Sequence, residues 1–404
     1  MRTHISKVLL FASVAAIGLS GPVSLVAAEL EEIIVTSERR EENLQSVPIS
    51  ITAFTYDQLT ELQIYEADDL LRRIPNLTGA NNVGQSSNVG YFMRGVGNDE
   101  SLLGFDPPIQ TYVDDVLVPR QMNNNVSFLD AERVEVLRGP QGQLHGRNTT
   151  GGAVKFFTQK PSEDFNLRLS GRVGNYDEIY LFGTINGAMA DGIYGKLTGF
   201  LEDDEGYQKN VVTGQRAANK DRWGLRGQLR FEPSEKVMID VALDYSEIDE
   251  VGAIGGAWPS DGTPPVGPNA NDSIDPTLIS TPAQAAFADF GTQGDEWGGY
   301  ITINWDAGPM LVQSITSYRD GQFFLRNEFV DPGAPGTDIL APFGIPGFIT
   351  PPVDQIAAAF PLGIFIIEQD SGVETFTQEL KGNSSFTLWG KNTDWVGGLY
   401  YLRE

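Results

Sequence analysis

From about Phe165 onward, apolar and polar residues trade places one by one. Trp223, Leu225, Gly227, Leu229 and Phe231 alternate with Arg222, Gly224, Arg226, Gln228 and Arg230. Val237, Ile239, Val241, Leu243 and Tyr245 alternate in the same way with Met238, Asp240, Ala242, Asp244 and Ser246, and Ile193 to Glu202 repeats the pattern. Side chains on a strand point to opposite faces in turn, so each segment has one apolar surface and one strongly polar one. The segments run to about ten residues, the length of a tilted strand across a bilayer.

A soluble sandwich alternates too, and the connections separate the two cases. Strands are predicted near 165–174, 178–189, 192–203, 221–232, 236–248, 297–306, 310–326, 373–383 and 394–403. The second, fourth and sixth links are short, at Ala190-Asp191, Pro233-Ser234-Glu235 and Ala307-Gly308-Pro309, and the eighth, around 385–393, is somewhat longer. The fifth and seventh, about 249–296 and 327–372, are long and rich in Gly, Pro and Asp. Antiparallel strands joined by short turns on one rim and long loops on the other are how outer-membrane barrels are built. The expected class is therefore mixed: a small α+β domain followed by antiparallel transmembrane strands.

The preceding stretch, from Glu29 to about Ser162, reads as that small domain. Helical spacing occurs at Asp57 to Leu62 and at Glu66 to Ile74, where Pro75 ends the run. Extended runs occur at Ile49 to Phe54, Val89 to Arg94, Ile109 to Val118, Arg133 to Leu137 and Ala153 to Thr158. Ahead of them, Met1 to Ala28 has Arg2 and Lys7, an apolar run from Val8 to Leu19, and small residues ending Val26-Ala27-Ala28, the pattern of a secretory signal peptide. A net charge of −26 repels nucleic acid. No cysteine is present, and His145 is the one histidine beyond the leader, which excludes disulfides and multi-histidine metal centres. No cofactor or metal is predicted.

Residues 133–161, "RVEVLRGPQGQLHGRNTTGGAVKFFTQKP", join two alternating runs through a glycine-rich loop. The spacing does not fit a phosphate loop, because Gly146 is followed by Arg147 and Asn148 and then by a strand rather than a helix. The run resembles the plug hallmark of the TonB-dependent outer-membrane receptors, "R-x-E-V-L-R-G-P-x-G-x-L-Y-G-x-x-x-x-G-G", with His145 in place of the usual Tyr. "EEIIVTSERR", residues 31–40, resembles the TonB box. The resemblance divides the chain into signal peptide 1–28, TonB box and linker 29–42, plug 43–162 and the N-terminal portion of the barrel, 163–404, with about nine strands.

That resemblance implies a transport protein and not an enzyme, exported to the outer membrane of a Gram-negative bacterium among lipid and lipopolysaccharide. TonB, with its energising inner-membrane complex, would engage Glu32, Ile33, Ile34, Val35 and Thr36 by strand addition. Arg94 and Arg138, with Arg133 and Glu135, would dock the plug, the arginines pairing with barrel glutamates. Gly139, Gly142, Gly146, Gly151 and Gly152 would shape the motif. Asn81, Asn82, Gln85, Asn88, Arg120, Gln121, Asn123 and Asn124 would face the ligand at the plug apex. The implied cargo is a small molecule, a ferric siderophore complex first among such solutes; cobalamin and carbohydrate are the alternatives within the family. A passive porin-like channel and a secreted β-rich binding protein are readings of another class. A plug-filled barrel of ~22 strands needs more than nine. The sequence is therefore expected to be the front part of a receptor, and as a fragment non-functional by itself.

Overall fold

The computed structural model describes residues 33–36, 42–81, 87–98, 105–121, 124–125, 130–209, 216–252, 291–328, 366–388 and 391–404. The leader, Glu32, Asn82, Gln85 and Asn123 lie outside them.

The plug is organised around five strands: β1 (Ile51–Thr55), β2 (Ile109–Val113), β3 (Val116–Val118), β4 (Ala131–Arg138) and β5 (Gly152–Thr158). Their order in the sheet is β1-β4-β5-β2-β3, with β5 and β2 parallel and the other neighbours antiparallel. The sheet buries Val134, Val136, Val154 and Phe156 against Leu59, Ile64, Leu70, Ile74, Leu77 and Met93. An α-helix, α1 (Tyr56–Glu61), begins at a capping box in which Thr55 and Gln58 satisfy each other's backbone N–H groups. The expected second helix is a 3-10 helix over Ala67–Arg72, whose Asp69 carboxylate accepts from the N–H groups of Tyr65 and Glu66.

The motif run forms β4, a one-turn helix over Gly142–His145, and β5, with Val136 opposite Val154. Three of its glycines have a backbone reason to be there, among them Gly146 at φ +84°. Gly139 sits at φ +106° beside the Arg94 guanidinium. Gly152 sits at φ +152°, and a Cβ there would stand 2.3 Å from the Leu137 carbonyl oxygen. Gly142 is different, because a Cβ would meet nothing nearer than 4.0 Å.

One expectation is corrected here. Residues 109–118 are not a single strand but a hairpin, β2 and β3, turned by Asp114 and Asp115 at φ +52° and +66°. Two successive positive-φ residues make the tight turn whose twist suits antiparallel strands, and Asp tolerates that conformation better than most side chains.

The second part is a nine-stranded antiparallel sheet in chain order. Its strands are β6 (Asn166–Val173), β7 (Ile179–Ala190), β8 (Ile193–Asp203), β9 (Asp221–Ser234), β10 (Val237–Glu250), β11 (Gly291–Asp306), β12 (Leu311–Glu328), β13 (Ile366–Leu388) and β14 (Lys391–Arg403). The later strands are longer than expected, and only residues 389–390 separate β13 from β14. The meander puts the short links 191–192, 235–236, 307–310 and 389–390 on one rim, and on the other the five-residue link 174–178 with the longer 204–220, 251–290 and 329–365. Among the described residues β6 and β14 each pair on one side only, so the sheet is not closed.

Exposure is inverted relative to a soluble protein. Leu169, Leu225, Leu243 and Leu399 face outward, at 74%, 51%, 64% and 77% exposed. Thr198, Gln228, Thr302 and Thr377 are buried on the inner face, toward the plug. Water is absent from the hydrocarbon, so lipid takes the apolar face and the lumen takes the polar one. Outward aromatic pairs, Trp223 with Tyr245 and Trp297 with Tyr318, lie near the long-loop rim, and Phe231, Trp305 and Trp395 lie near the short-turn rim. From Trp297 to Trp305 is about 26 Å along the strand at ~3.3 Å per residue, of the order of the ~25 Å apolar band of such barrels.

The link between the two parts is fastened to the wall. The Asn186 side chain on β7 accepts from the Ser162 N–H at 3.0 Å and donates to Ser162 Oγ at 2.8 Å and the Asp164 carbonyl at 2.7 Å.

Gly152→Ala is expected to prevent the plug sheet from closing, since strained backbone costs ~1–3 kcal/mol before the clash with Leu137 is counted. Gly142→Ala should be tolerated. Trypsin resistance of the plug in membranes carrying each variant checks the contrast.

Candidate functional site

Plug and wall meet along a line of ion pairs that begins near the long-loop rim. Glu66, the residue ahead of the 3-10 helix, is buried, and its Oε1 accepts from Lys220 Nζ at 2.7 Å and from the Arg222 guanidinium, while Oε2 accepts from Asn125 Nδ2 at 2.9 Å. Arg222, on the inner face of β9, also grips Glu202 of β8 through Nε at 2.9 Å and Nη2 at 2.7 Å. The Ser87 N–H of the plug donates to Glu250 at 3.2 Å.

Deeper, Asp130 accepts from Lys196 Nζ at 2.5 Å and from Thr198 Oγ1 at 3.2 Å, both on β8. Asp114, at the β2–β3 turn, accepts from Lys160 at 2.6 Å, Arg226 at 2.7 Å, Tyr300 at 2.9 Å and the Thr158 hydroxyl at 2.7 Å. Nearer the short-turn rim, Asp115 pairs with Lys155 at 2.8 Å and with Lys381 of β13 at 3.7 Å.

Environment sets the charge on these groups. Burial by itself would raise the Asp114 carboxyl, but Lys160 and Arg226 outweigh it and hold it at about 2. Glu66 is likewise held at about 2, burial being overcome by Arg222 and Lys220. Burial dominates at Asp130, which is pushed up despite Lys196. Asp68 goes up to about 6 through burial and the repulsion of Glu66 and Asp69.

Most of this seam has the opposite sign to the expected docking. The plug contributes carboxylates and the wall contributes cations. Arg94 is exposed, and the Arg138 Nη1 donates to the Pro75 carbonyl at 3.3 Å; among the described residues neither has a carboxylate within ion-pair distance. The expected sense is met instead by Arg120 and Arg147, which both pair with Glu404, Arg120 at 3.2 Å, while Asp106 lies 2.6 Å from Arg120. Arg120 was placed among the ligand contacts by its loop, and its guanidinium is spent in this cluster.

Three other apical candidates are buried inside the plug. Asn124 accepts from the Val89 N–H at 2.7 Å and donates to the Val89 carbonyl at 2.9 Å, Gln121 donates to the Asn98 carbonyl at 2.6 Å, and Asn88 is fully buried. Polar loop residues read as solvent-facing here satisfy backbone groups of the apex. Asn81 does the same for the Asn88 carbonyl, at 3.0 Å.

At the foot of the plug, Ile34–Val35 pairs antiparallel with Glu42–Asn43, and Val35 is buried. The Thr36 N–H donates to Glu135 Oε1 at 2.9 Å, and Arg133 Nε donates to the same oxygen at 2.9 Å. The Arg133 guanidinium lies 3.8 Å from the centre of the Phe157 ring. Lys155, wholly buried, reaches the Thr36 carbonyl at 3.5 Å as well as Asp115. Arg133 and Glu135 thus hold residues 34–36 rather than the wall. The cleft around them is lined by Thr36, Glu42 and Asp115 on one side and Lys236, Gln313 and Lys381 on the other.

Glu66, Asp114, Asp130, Lys196 and Arg226 were absent from the residues singled out by sequence. The signal for the wall half was present in the polar face of β8 and β9. The plug half had only the Asp-Asp pair, which reads as a turn.

Residues 43–153 match the family model described as the TonB-dependent Receptor Plug Domain. Over 210 residues the chain is 27% identical to the pesticin receptor of Yersinia pestis, covering 50% of this chain and 30% of that protein. Over 225 residues it is 26% identical to the vitamin B12 transporter BtuB of Vibrio cholerae, covering 53% and 35%. Among solved structures, the ferric yersiniabactin uptake receptor FyuA from Yersinia pestis superposes with a TM-score of 0.67 at 19% identity, covering 88% of this chain and 48% of that one. The ferripyoverdine receptor of Pseudomonas aeruginosa gives 0.68 at 15% identity, covering 91% and 44%. The chain spans about a third of the length of the relatives it matches and under half of these structures.

The carboxylates carry opposite pH signatures. Asp114 and Glu66, depressed from the ordinary value near ~4, stabilise the docked plug above that value and lose this as pH falls toward 2. Asp68, raised to about 6, favours the docked plug below ~4 and loses that contribution as pH climbs through 6. Asp68→Asn is therefore expected to slow amide exchange in the plug at pH 7 and leave it unchanged at pH 4. Asp114→Asn, which leaves Arg226 and Lys160 without their carboxylate, should loosen the plug by ~3–5 kcal/mol, read by the same exchange measurement.

Proposed function

Because the chain belongs to the TonB-dependent receptors, we propose that it works in TonB-driven uptake of a scarce solute across the outer membrane, with a ferric siderophore complex as cargo. The observation that carries this reading is the strand at Ile34–Val35. It is two residues long, and it is held at the plug foot by one short partner strand and by the Thr36–Glu135 bond. Strand addition needs such a segment: its main-chain groups can be exchanged from a small intramolecular pair to the edge of another protein's sheet. A TonB strand taking residues 33–36 would pull on Thr36, and through it on Glu135 and Lys155 of the plug sheet.

The iron assignment is supported by the solved relatives whose titles name ferric yersiniabactin and ferripyoverdine. A cobalamin cargo is the second reading, favoured by the 26% identity to a vitamin B12 transporter. The seam suits transport of either kind, since a plug tied to the wall by ion pairs can be displaced into water without exposing a large apolar surface.

Ile34→Pro removes a backbone donor and disfavours strand pairing. In a host expressing the receptor as its gene encodes it, the variant is expected to reach the membrane at normal levels, bind cargo as before, and lose energised uptake of radioactive iron supplied as siderophore complexes. Unchanged iron uptake would count against the TonB assignment. Iron uptake absent in both forms, with labelled cobalamin taken up only by the unsubstituted receptor, would move the cargo to the second reading.

A further inference from the structure

The wall cations that the plug neutralises lie at successive depths. Arg222 and Arg226 are on the same inward face of β9, four residues apart, about 13 Å along the strand at ~3.3 Å per residue. Lys196 is opposite Gln228 on the neighbouring strand β8. Lys220 stands just above, near the long-loop rim, and Lys381 is lower, beside Asp115. Each meets a carboxylate borrowed from the plug: Glu66 for Lys220 and Arg222, Asp130 for Lys196, Asp114 for Arg226, Asp115 for Lys381.

Wall carboxylates cover this set unevenly. Arg222 keeps Glu202 whatever the plug does. Among the described wall carboxylates Arg226 has Asp244 alone, at 3.9 Å, and that carboxylate is shared with Arg319 at 2.7 Å. Among the described residues the carboxylate that pairs with Lys196 is Asp130 alone. Beside these groups the seam holds a cavity of about 180 Å³, lined by Asp130, Arg222 and Arg226 together with the apolar side chains of Val118, Phe156 and Phe182. The seam therefore parts along a surface that already has space in it.

We propose that Lys196, Arg222 and Arg226 form a relay for an anionic solute, and that Asp130, Glu66 and Asp114 of the plug occupy at rest the cations the solute would use. When the plug moves away from this wall, Lys196 and Arg226 lose their counter-ions and present their positive charge to the lumen, where it draws anions in. A solute bearing carboxylates, catecholates or phosphates restores the compensation. A neutral or cationic one does not. The wall thereby adds a charge preference at mid-depth, separate from any recognition at the plug apex. The inference rests on the chain being an uptake receptor, and it names the charge of the cargo.

The test uses the receptor as its gene encodes it, in planar bilayers, with the plug displaced by urea and a potassium chloride gradient across the membrane. Chloride and potassium are the probes, so neither TonB nor the cargo is needed. The reversal potential is expected to show chloride preferred over potassium. Lys196→Gln with Arg226→Gln should lower the chloride-to-potassium permeability ratio at least about twofold, as a charged lumen wall loses its field. Lys196→Arg with Arg226→Lys, which keeps both charges, should preserve the ratio and so separate charge from misfolding. Potassium preference in the unsubstituted receptor, no conductance in urea, or a ratio unmoved by the neutral pair would each overturn the relay. A receptor that passes this test but takes up solute independently of residues 33–36 would leave the relay standing and remove the TonB reading.

Discussion

The plug is tied to the wall by buried ion pairs, and the rest of the arrangement depends on that choice. The outward faces of β6 to β14 are committed to lipid, so the inward faces are polar. Whatever fills the lumen must present polar groups to them. Burying opposite charges together gains little net stability over an apolar seam of the same size, because both ions give up hydration. It gains reversibility: when the seam parts into water, hydration returns. Apolar contact is kept small, with Val116 packed against Ala242, Tyr300 and Ile315, and Leu402 against the far side of the plug sheet.

The Asp114–Asp115 turn faces both the wall and the foot of the plug. Its first carboxylate goes to Arg226 and Tyr300 on the wall, and its second to Lys155 within the plug and Lys381 on β13. Lys155 in turn touches the carbonyl of Thr36, next to the strand at Ile34–Val35. From that strand to the wall, side chains touch without a break, and each link is a charged group or a hydrogen bond rather than a packed side chain. Two adjacent residues, both at positive φ, thus serve both directions.

What was legible in the sequence follows from the range of each signal. Strict alternation tells which side of a strand is apolar, so the membrane sheet, its short rim and the polar inner faces of β8 and β9 could be read directly. The glycine run could be read as β4, a turn and β5 because its constraint is local, as Gly152 against the Leu137 carbonyl shows. Pairing across the seam could not. Arg226 is 112 residues from Asp114, and Tyr300 is 186 away, and no periodicity links them. The same gap explains the docking residues: a polar residue on a strand is equally consistent with facing the lumen or a neighbour within the plug. Glu135 and Lys155 face a neighbour and are wholly buried beside Thr36. The backbone role of Asn124 was hidden for a related reason, since a loop must also satisfy its own backbone, and Asn124 does that for Val89.

Net charge and local charge point in different directions, and the difference bears on specificity. The whole chain carries −26, yet the inner face shared by β8 and β9 presents Lys196, Arg222, Arg226 and Arg230. Arg230 is matched within the wall by Asp240 at 2.7 Å, whereas Lys196 and Arg226 take their carboxylates from the plug. Neighbouring cations on one inner face therefore differ in whether their carboxylate belongs to the wall or to the plug. Relatives sharing this fold at 14–27% identity have names that specify different solutes, so the shared fold carries the machinery and the side chains carry the choice. The unequal compensation of neighbouring wall cations is one place where that choice can be written, because it differs from Arg226 to Arg230 along one strand.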